Sequence, residues 1–137
     1  MLDLRPVGYV IGLLVTVLGA AMLLPLLVDI AEARGQWPVF LQAALITMLT
    51  GGCLSLACAN GVREGLSLQE TFLLTTAVWV VLPIFGAIPF VIGETDSRVV
   101  DAFFEAMSAL TTTGSTVLSG LEGLPKGLLL WRGIMQW

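Results

Sequence analysis

The sequence predicts an all-α integral membrane fold: two N-terminal transmembrane helices, a third span, a half-length helix with a loop, and the start of another helix. Apolar residues make up 57% of the 137 positions and charged residues 12%, with a mean hydropathy of +0.96. Soluble domains usually carry about 25% charged residues. Three long runs contain no charge at all, and each is long enough to cross a hydrocarbon core of about 30 Å.

The first charge-free run, Gly8 to Val28, predicts a transmembrane helix of 21 residues. Gly8, Gly12 and Gly19 fall on one face, where another helix can approach closely. Pro25 is expected to kink the last turn. A polar loop is predicted from Asp29 to Gln36.

The second run, Trp37 to Ala59, predicts a helix whose small residues favour contact with other helices over contact with lipid. A turn is expected over Asn60 to Ser67. Cys53 and Cys58 are five positions apart, do not face each other well on a helix, and are interpreted as small packing residues.

The third run, Thr71 to Gly93, predicts an outer helix over residues 68–93. Ser67 followed by Glu70 has the spacing of a capping box, which places the helix start there. Pro83 and Pro89 are expected to bend or unwind the second half of this helix.

A short amphipathic helix is predicted over residues 99–110, followed by a loop over residues 111–116 and the start of another helix over residues 126–137. A helix of about 12 residues covers only about half of the hydrocarbon core. Non-helical backbone at membrane depth is tolerated where protein buries it or where it lines a water-filled cavity. The pattern therefore favours a re-entrant loop.

The residues of this loop suit cation binding by backbone oxygens. The helix that ends at Leu110 directs the negative pole of its dipole towards the loop. Thr111 to Ser115 are expected to run extended, with carbonyls free to replace the hydration shell of K⁺. Gly114 permits backbone angles that other residues avoid. Taken alone, a Thr/Gly/Ser run usually marks an ordinary loop, so the prediction of a re-entrant loop depends on the helices around it.

The charges exclude some functions and suggest others. A net charge of −4 without a basic cluster argues against nucleic acid as a partner, and no histidine or cysteine cluster offers ligands for zinc or haem. Six acidic residues would share the side from which the loop enters: Asp29, Glu32, Glu94, Asp96, Asp101 and Glu122. They would either concentrate cations at a pore mouth or be ordinary solvated loop charges.

Two further charges lie within predicted helices near the loop. Glu105 is in the short helix, and Arg132 is in the last helix. Charges in the membrane seldom go unpaired, so the two could form an ion pair that anchors the short helix. Alternatively, each reaches a polar surface separately.

Several motifs together resemble one family. The stretches DAFFEAMSALTTTGST, GLEGLP and LLLWRGIMQW, with GAIPF at 86–90 upstream, are similar to the first pore region of the Trk/Ktr/HKT cation transporters, specifically the TrkH-like potassium uptake proteins of bacteria. The resemblance covers the whole chain. It implies an N-terminal helix pair over residues 1–66 and the first membrane–pore-loop–membrane repeat over residues 67–137, truncated in its inner helix.

The same resemblance implies a function and a set of site residues. K⁺ would be the transported ion, with no organic cofactor and no enzymatic activity, in the bacterial inner (plasma) membrane. Thr112 and Thr113 would coordinate K⁺ through their carbonyls, Gly114 would be the filter glycine, and Thr111 and Ser115 would be its neighbours. Partners would be membrane lipid, the remaining pore repeats, a second copy in a homodimer and a cytoplasmic nucleotide-binding regulatory subunit.

The length of the chain departs from the family pattern. One loop supplies one of four filter strands, so the chain is expected to be the N-terminal part of a longer protein. Three other functions remain open: a transporter of another monovalent cation such as Na⁺, a packing or anchoring subunit, and a membrane enzyme. The last has only acidic side chains as candidate acid–base groups.

Overall fold

The computed structural model describes residues 4–32, 36–61, 65–93, 95 and 97–137. Within them the chain is helical apart from turns and loops. The α-helices are α1 (Arg5–Ala21), α2 (Leu23–Glu32), α3 (Trp37–Cys58), α4 (Leu68–Gly86), α5 (Ile88–Ile92), α6 (Val99–Leu110) and α7 (Lys126–Gln136).

Three helical stretches are long and apolar enough to cross a membrane: Arg5–Glu32, Trp37–Cys58 and Leu68–Ile92. The predicted all-α membrane fold with three spans is confirmed. The first and third spans are each divided by a short break, so that α1 and α2 form one span and α4 and α5 form another.

The break in the first span lies at Met22, three residues before Pro25. Proline has no N–H for the carbonyl four residues earlier and its ring collides with that carbonyl, so the helix is interrupted on the N-terminal side of Pro25. The polar loop predicted from Asp29 to Gln36 was wrong over its first four residues, because α2 continues to Glu32; residues 33–35 of that loop lie outside the described residues. The side chain of Asp29 is buried, with 3% of its surface exposed.

Helices α1 and α3 pack along the glycine face that the sequence predicts. A Cβ atom added to Gly12 would lie 2.7 Å from the Gly51 carbonyl oxygen, and one added to Gly51 would lie 2.6 Å from the Thr16 backbone nitrogen. Backbone meets backbone here, which is the arrangement that small residues permit between membrane helices. Helix α3 ends at Cys58, and a 3₁₀ turn follows over Ala59–Gly61.

The third span begins at the predicted capping box: the Ser67 side chain accepts a hydrogen bond from the Glu70 N–H, and the Glu70 carboxylate accepts one from the Ser67 N–H. Pro83 lies inside α4, which continues to Gly86, and the predicted interruption in the second half of this span is confirmed. The interruption lies at Ala87, two residues before Pro89, which occupies the first turn of α5 where a missing N–H does no harm.

The half-length helix α6 and the last helix α7 pack against the three spans. Their shared core joins Phe40 of α3, Phe90 of α5, Ala106 of α6 and Trp131 of α7, all at most 1% exposed. Burial of these apolar surfaces fixes α6 and α7 to the spans and thereby places the loop between them.

The structure describes four of the six acidic residues that were considered for a pore mouth. Asp29 is buried, the Glu32 carboxylate forms an ion pair with Lys126 of α7, and Asp101 forms one with Arg98 at 2.9 Å. Glu122 is exposed. Glu94 and Asp96 lie outside the described residues.

Candidate functional site

The loop begins with a tight cap on the C-terminus of α6. The Thr112 N–H donates to the Ala109 carbonyl and the Thr113 N–H to the Ser108 carbonyl, each at 2.9 Å, the paired bonds of a Schellman motif. Thr112 has a φ of +54°. Glycine usually occupies this left-handed conformation, which costs a β-branched residue about 1–3 kcal/mol of conformational free energy. The predicted extended course was therefore wrong at Thr111 and Thr112, which form a turn.

The threonine hydroxyls hold this turn in place. The Thr111 hydroxyl lies 2.8 Å from the Met107 carbonyl, to which it donates, and 2.7 Å from the Thr113 hydroxyl. Within the described part of the chain, no donor reaches the carbonyls of Thr111, Thr112 or Thr113. Among the described residues, three successive backbone oxygens are thus left without a protein partner at the negative end of a helix.

The next two carbonyls are engaged. The Arg132 guanidinium Nη2 donates to the Gly114 carbonyl at 3.1 Å and to the Ser115 carbonyl at 3.3 Å. The Ser108 hydroxyl donates to the same Ser115 oxygen at 2.7 Å. Gly114 has a φ of +76°, and among the described residues a Cβ atom there would meet the Gln136 amide nitrogen alone, at 3.5 Å, which is an ordinary contact. Backbone conformation, rather than space, therefore requires glycine at this position.

Glu105 holds the non-helical segment over residues 116–118, which follows the loop. Its side chain is fully buried, and its Oε1 atom accepts hydrogen bonds from the Thr116 hydroxyl at 2.6 Å, the Val117 N–H at 2.6 Å and the Leu118 N–H at 3.3 Å. Charged acceptors make the stronger hydrogen bonds. One carboxylate thus replaces the partners that a helix or sheet would give this backbone.

Glu105 also forms an ion pair with Arg132, so the alternative in which each charge reaches a polar surface separately was wrong. The Arg132 Nε atom lies 3.3 Å from Glu105 Oε2, with side-chain exposures of 16% and 0%. The two atoms are close enough for an ion pair, but their geometry does not make a hydrogen bond to Oε2. Arg132 therefore links the carboxylate on α6 to the carbonyls of Gly114 and Ser115.

Trp131, the residue before Arg132, fixes α7 against the third span. Its indole Nε1 donates to the Gly86 carbonyl at 3.0 Å, and its ring packs edge-on against Phe40 with centroids 6.5 Å apart. The Gly86 carbonyl lacks its usual helical partner because the Phe90 N–H bonds to Ala87 instead. The break in the third span is therefore capped by the helix that bears Arg132.

The sequence singled out Glu105, Arg132 and the loop residues, and the structure brings them together. It did not single out Ser108 or Trp131. Ser108 had a signal in its position, since a hydroxyl in the last turn of a helix can turn towards the loop that follows. No signal in the sequence indicated the role of Trp131, because its acceptor is the carbonyl of Gly86, 45 positions earlier. That carbonyl is available because the third span is interrupted beside it.

Known proteins share the sequence pattern and the fold of this chain. Residues 36–137 match the family model described as "TrkH: Cation transport protein". The chain belongs to the TrkH family. The solved structure of the potassium transporter TrkH from Vibrio parahaemolyticus matches with a TM-score of 0.89 and 33% identity, covering 99% of this chain and 29% of that one.

Two curated TrkH-family relatives illustrate the range of similarity. The Trk system potassium uptake protein TrkI of Halomonas elongata is 40% identical over 132 residues, covering 96% of this chain and 27% of that protein. TrkH of Escherichia coli K12 is 36% identical over 135 residues, covering 97% and 28%. The chain thus spans a little over a quarter of the length of these relatives and is a multi-pass membrane protein with the TrkH-family fold.

Proposed function

We propose that this chain contributes to potassium uptake across the bacterial inner membrane by supplying one of four filter strands. The proposal rests on the three successive carbonyls of Thr111, Thr112 and Thr113 at the end of α6, to which no described residue donates a hydrogen bond. Relatives named as potassium uptake proteins support K⁺ as the ion. Carbonyl oxygens replace the hydration shell of K⁺ in such filters.

The loop residues divide into two roles. Thr112 and Thr113 present carbonyls to the ion, with Thr111 beside them, while the hydroxyl contacts described above hold the turn. The carbonyls of Gly114 and Ser115 accept hydrogen bonds from Arg132 and Ser108. These two residues therefore hold the C-terminal end of the loop in place and do not bind the ion in this strand. No carboxylate belongs to the proposed ligand set, which favours rapid release of a monovalent ion over tight binding.

One strand gives a quarter of a filter, so the proposal requires further pore repeats of the same protein. A homodimer and a cytoplasmic nucleotide-binding regulatory subunit are proposed from the family resemblance alone. Transport by ion coupling (symport) and transport by channel-like flux both fit this arrangement.

The test uses the complete transporter that contains this chain, expressed in a bacterium that lacks its own K⁺ uptake. Growth at low K⁺ and tracer uptake are measured for Gly114→Ala and Gly120→Ala. Both glycines have positive φ, +76° and +72°, so each change puts a side chain into a backbone conformation that favours glycine, but only Gly114 lies within residues 111–116. The proposal expects K⁺ uptake per inserted protein to fall sharply for Gly114→Ala alone.

Equal uptake by both variants would refute a filter role for this loop. Failure of the unmodified protein to support growth at low K⁺, with Na⁺ uptake instead, would identify the other monovalent cation as the substrate. Insertion without any uptake would favour the packing or anchoring subunit.

A further inference from the structure

The N-terminal helix pair contributes a buried carboxylate to the start of α7. Asp29, near the end of α2, is 3% exposed, and its Oδ1 atom accepts a hydrogen bond from the Gly127 N–H at 3.1 Å. Gly127 is the second residue of α7, where backbone N–H groups have no partner within the helix. Asp29 therefore caps α7 from a different helix, 98 positions away in the chain.

Gly127 leaves room for this carboxylate because it has no side chain. A Cβ atom added there would lie 2.6 Å from Asp29 Cγ and closer still to both carboxylate oxygens. Any side chain at this position would therefore displace either Asp29 or the start of α7. The positive end of the helix dipole compensates the buried negative charge.

This contact is linked to the loop through one rigid element. Arg132 follows Gly127 by five positions on α7, which is about 7.5 Å along a helix. Its guanidinium donates to the carbonyls of Gly114 and Ser115 and pairs with Glu105. Since a helix transmits a shift at its first turn along its axis, the position of Asp29 bears on the position of those carbonyls.

We propose that Asp29 is a positioning residue for the filter strand. Through the Asp29–Gly127 contact, the N-terminal helix pair fixes the position of α7 along its axis. Through Arg132, α7 then fixes the positions of the Gly114 and Ser115 carbonyls. The inference rests on the proposed function. It gives the N-terminal pair a part in ion discrimination, beyond simple packing in the membrane.

The experiment is a double-mutant cycle in the complete transporter, with Asp29→Ala, Gly127→Ala and both together. The readout is the ratio of K⁺ to Na⁺ uptake and the apparent K⁺ affinity, each per inserted molecule. Each single change is expected to lower the ratio about tenfold, the scale set by loss of one buried hydrogen bond to a charged group. The double variant is expected to recover part of the ratio, because Asp29→Ala leaves room for the new methyl group.

Two further variants separate positioning from general stability. Lys126→Gln removes the more exposed ion pair with Glu32 at the same end of α7 and is expected to leave the ratio unchanged. Asp29→Asn keeps an oxygen for the Gly127 N–H and is expected to stay within about threefold of the unmodified ratio, since the hydrogen bond is kept.

The outcomes are distinguishable from failure of the proposed function. If the unmodified transporter takes up K⁺ but Asp29→Ala changes only the amount inserted, with ratio and affinity unaltered, Asp29 has a structural role alone and the inference is overturned. The same conclusion follows if Lys126→Gln shifts the ratio as strongly. If the unmodified protein takes up no K⁺, the proposed function fails first.

Discussion

The α1–α3 interface and the loop between α6 and α7 are held together by opposite means. Between α1 and α3, the backbones at Gly12 and Gly51 approach so closely that no side chain fits. In the loop, Glu105, Arg132 and Ser108 supply polar contacts to backbone that has left its helix. The first region depends on the absence of side chains and the second on their presence.

The difference follows from the solvent. Lipid does not drive helices together, so association rests on close packing, which small residues allow. Lipid also offers no hydrogen bonds, so every backbone group outside a helix needs a partner from the protein or from a bound ion or water. Substitutions at the glycine interface should therefore destabilise the protein when they add side-chain volume. Substitutions around the loop should do so when they remove a charge or a hydrogen-bond donor.

The largest effect is expected from breaking the buried ion pair. Arg132→Gln leaves the Glu105 carboxylate buried without its cation, and breaking such pairs typically costs about 3–5 kcal/mol. We expect K⁺ uptake by the complete transporter to be nearly abolished, measured per molecule inserted.

Glu105→Gln combined with Arg132→Gln provides the control, since it leaves no buried charge uncompensated. The double variant should be more stable to heat in detergent than Arg132→Gln alone. A double variant as unstable as the single one would show that charge is not what the pair contributes.

A smaller effect is expected at the glycine interface, where two adjacent residues form a matched pair. Gly51→Ala places a methyl group 2.6 Å from the Thr16 nitrogen, whereas a Cβ atom at Gly52 has no atom within 4 Å. Overpacking costs about 1–3 kcal/mol, so Gly51→Ala should lower the thermal stability of the solubilised transporter and Gly52→Ala should not. Equal melting temperatures would argue against volume as the controlling factor.

Loss of a single donor in the loop should have a more modest effect. Ser108→Ala removes the hydroxyl that donates to the Ser115 carbonyl at 2.7 Å, a contribution of about 1 kcal/mol. We expect a severalfold loss of K⁺ uptake with unchanged insertion. Thr76→Val serves as the comparison, because its hydroxyl donates to the Phe72 carbonyl within its own helix; a similar loss there would contradict the assignment.

The smallest effect is expected at the exposed start of α6. Hydrogen bonds from Arg98 hold the pKa of the Asp101 carboxyl below its usual value. A lowered pKa in the folded state means that this stabilisation is full above the ordinary carboxyl pKa of about 3.9 and disappears as the pH falls through the lowered value.

Comparing Asp101→Asn with the unmodified protein by protease resistance should show a small difference at pH 6 that vanishes in acid. A difference that grows as the pH falls would have the wrong sign for this pair. Salt should reduce the difference at pH 6, because exposed pairs are screened.

Local patterns predicted the elements well. The Ser67–Glu70 spacing placed the start of α4, and the charge and periodicity around Asp101 placed α6, because each depends on residues within one or two turns. The same patterns misassigned Asp29. A charge that ends an apolar run is ordinarily solvated, and its partner Gly127 lies 98 positions away.

The loop was harder to predict than the helices around it. Its threonines indicated backbone oxygens but not the positive φ of Thr112, which follows from the two hydrogen bonds that close the α6 terminus. Nor did they indicate that Arg132 engages two of the five carbonyls. These features depend on the packing of α7, which no local spacing encodes.

The contact between Trp131 and Gly86 links two positions that should be inherited together. The indole donates to a carbonyl that the interruption of the third span, two residues before Pro89, leaves without its helical donor. In a relative whose span ran on unbroken, the N–H four residues later would bond to that carbonyl and compete with the buried indole for it. Across the family, the tryptophan and the interrupting proline should therefore appear and disappear as a pair.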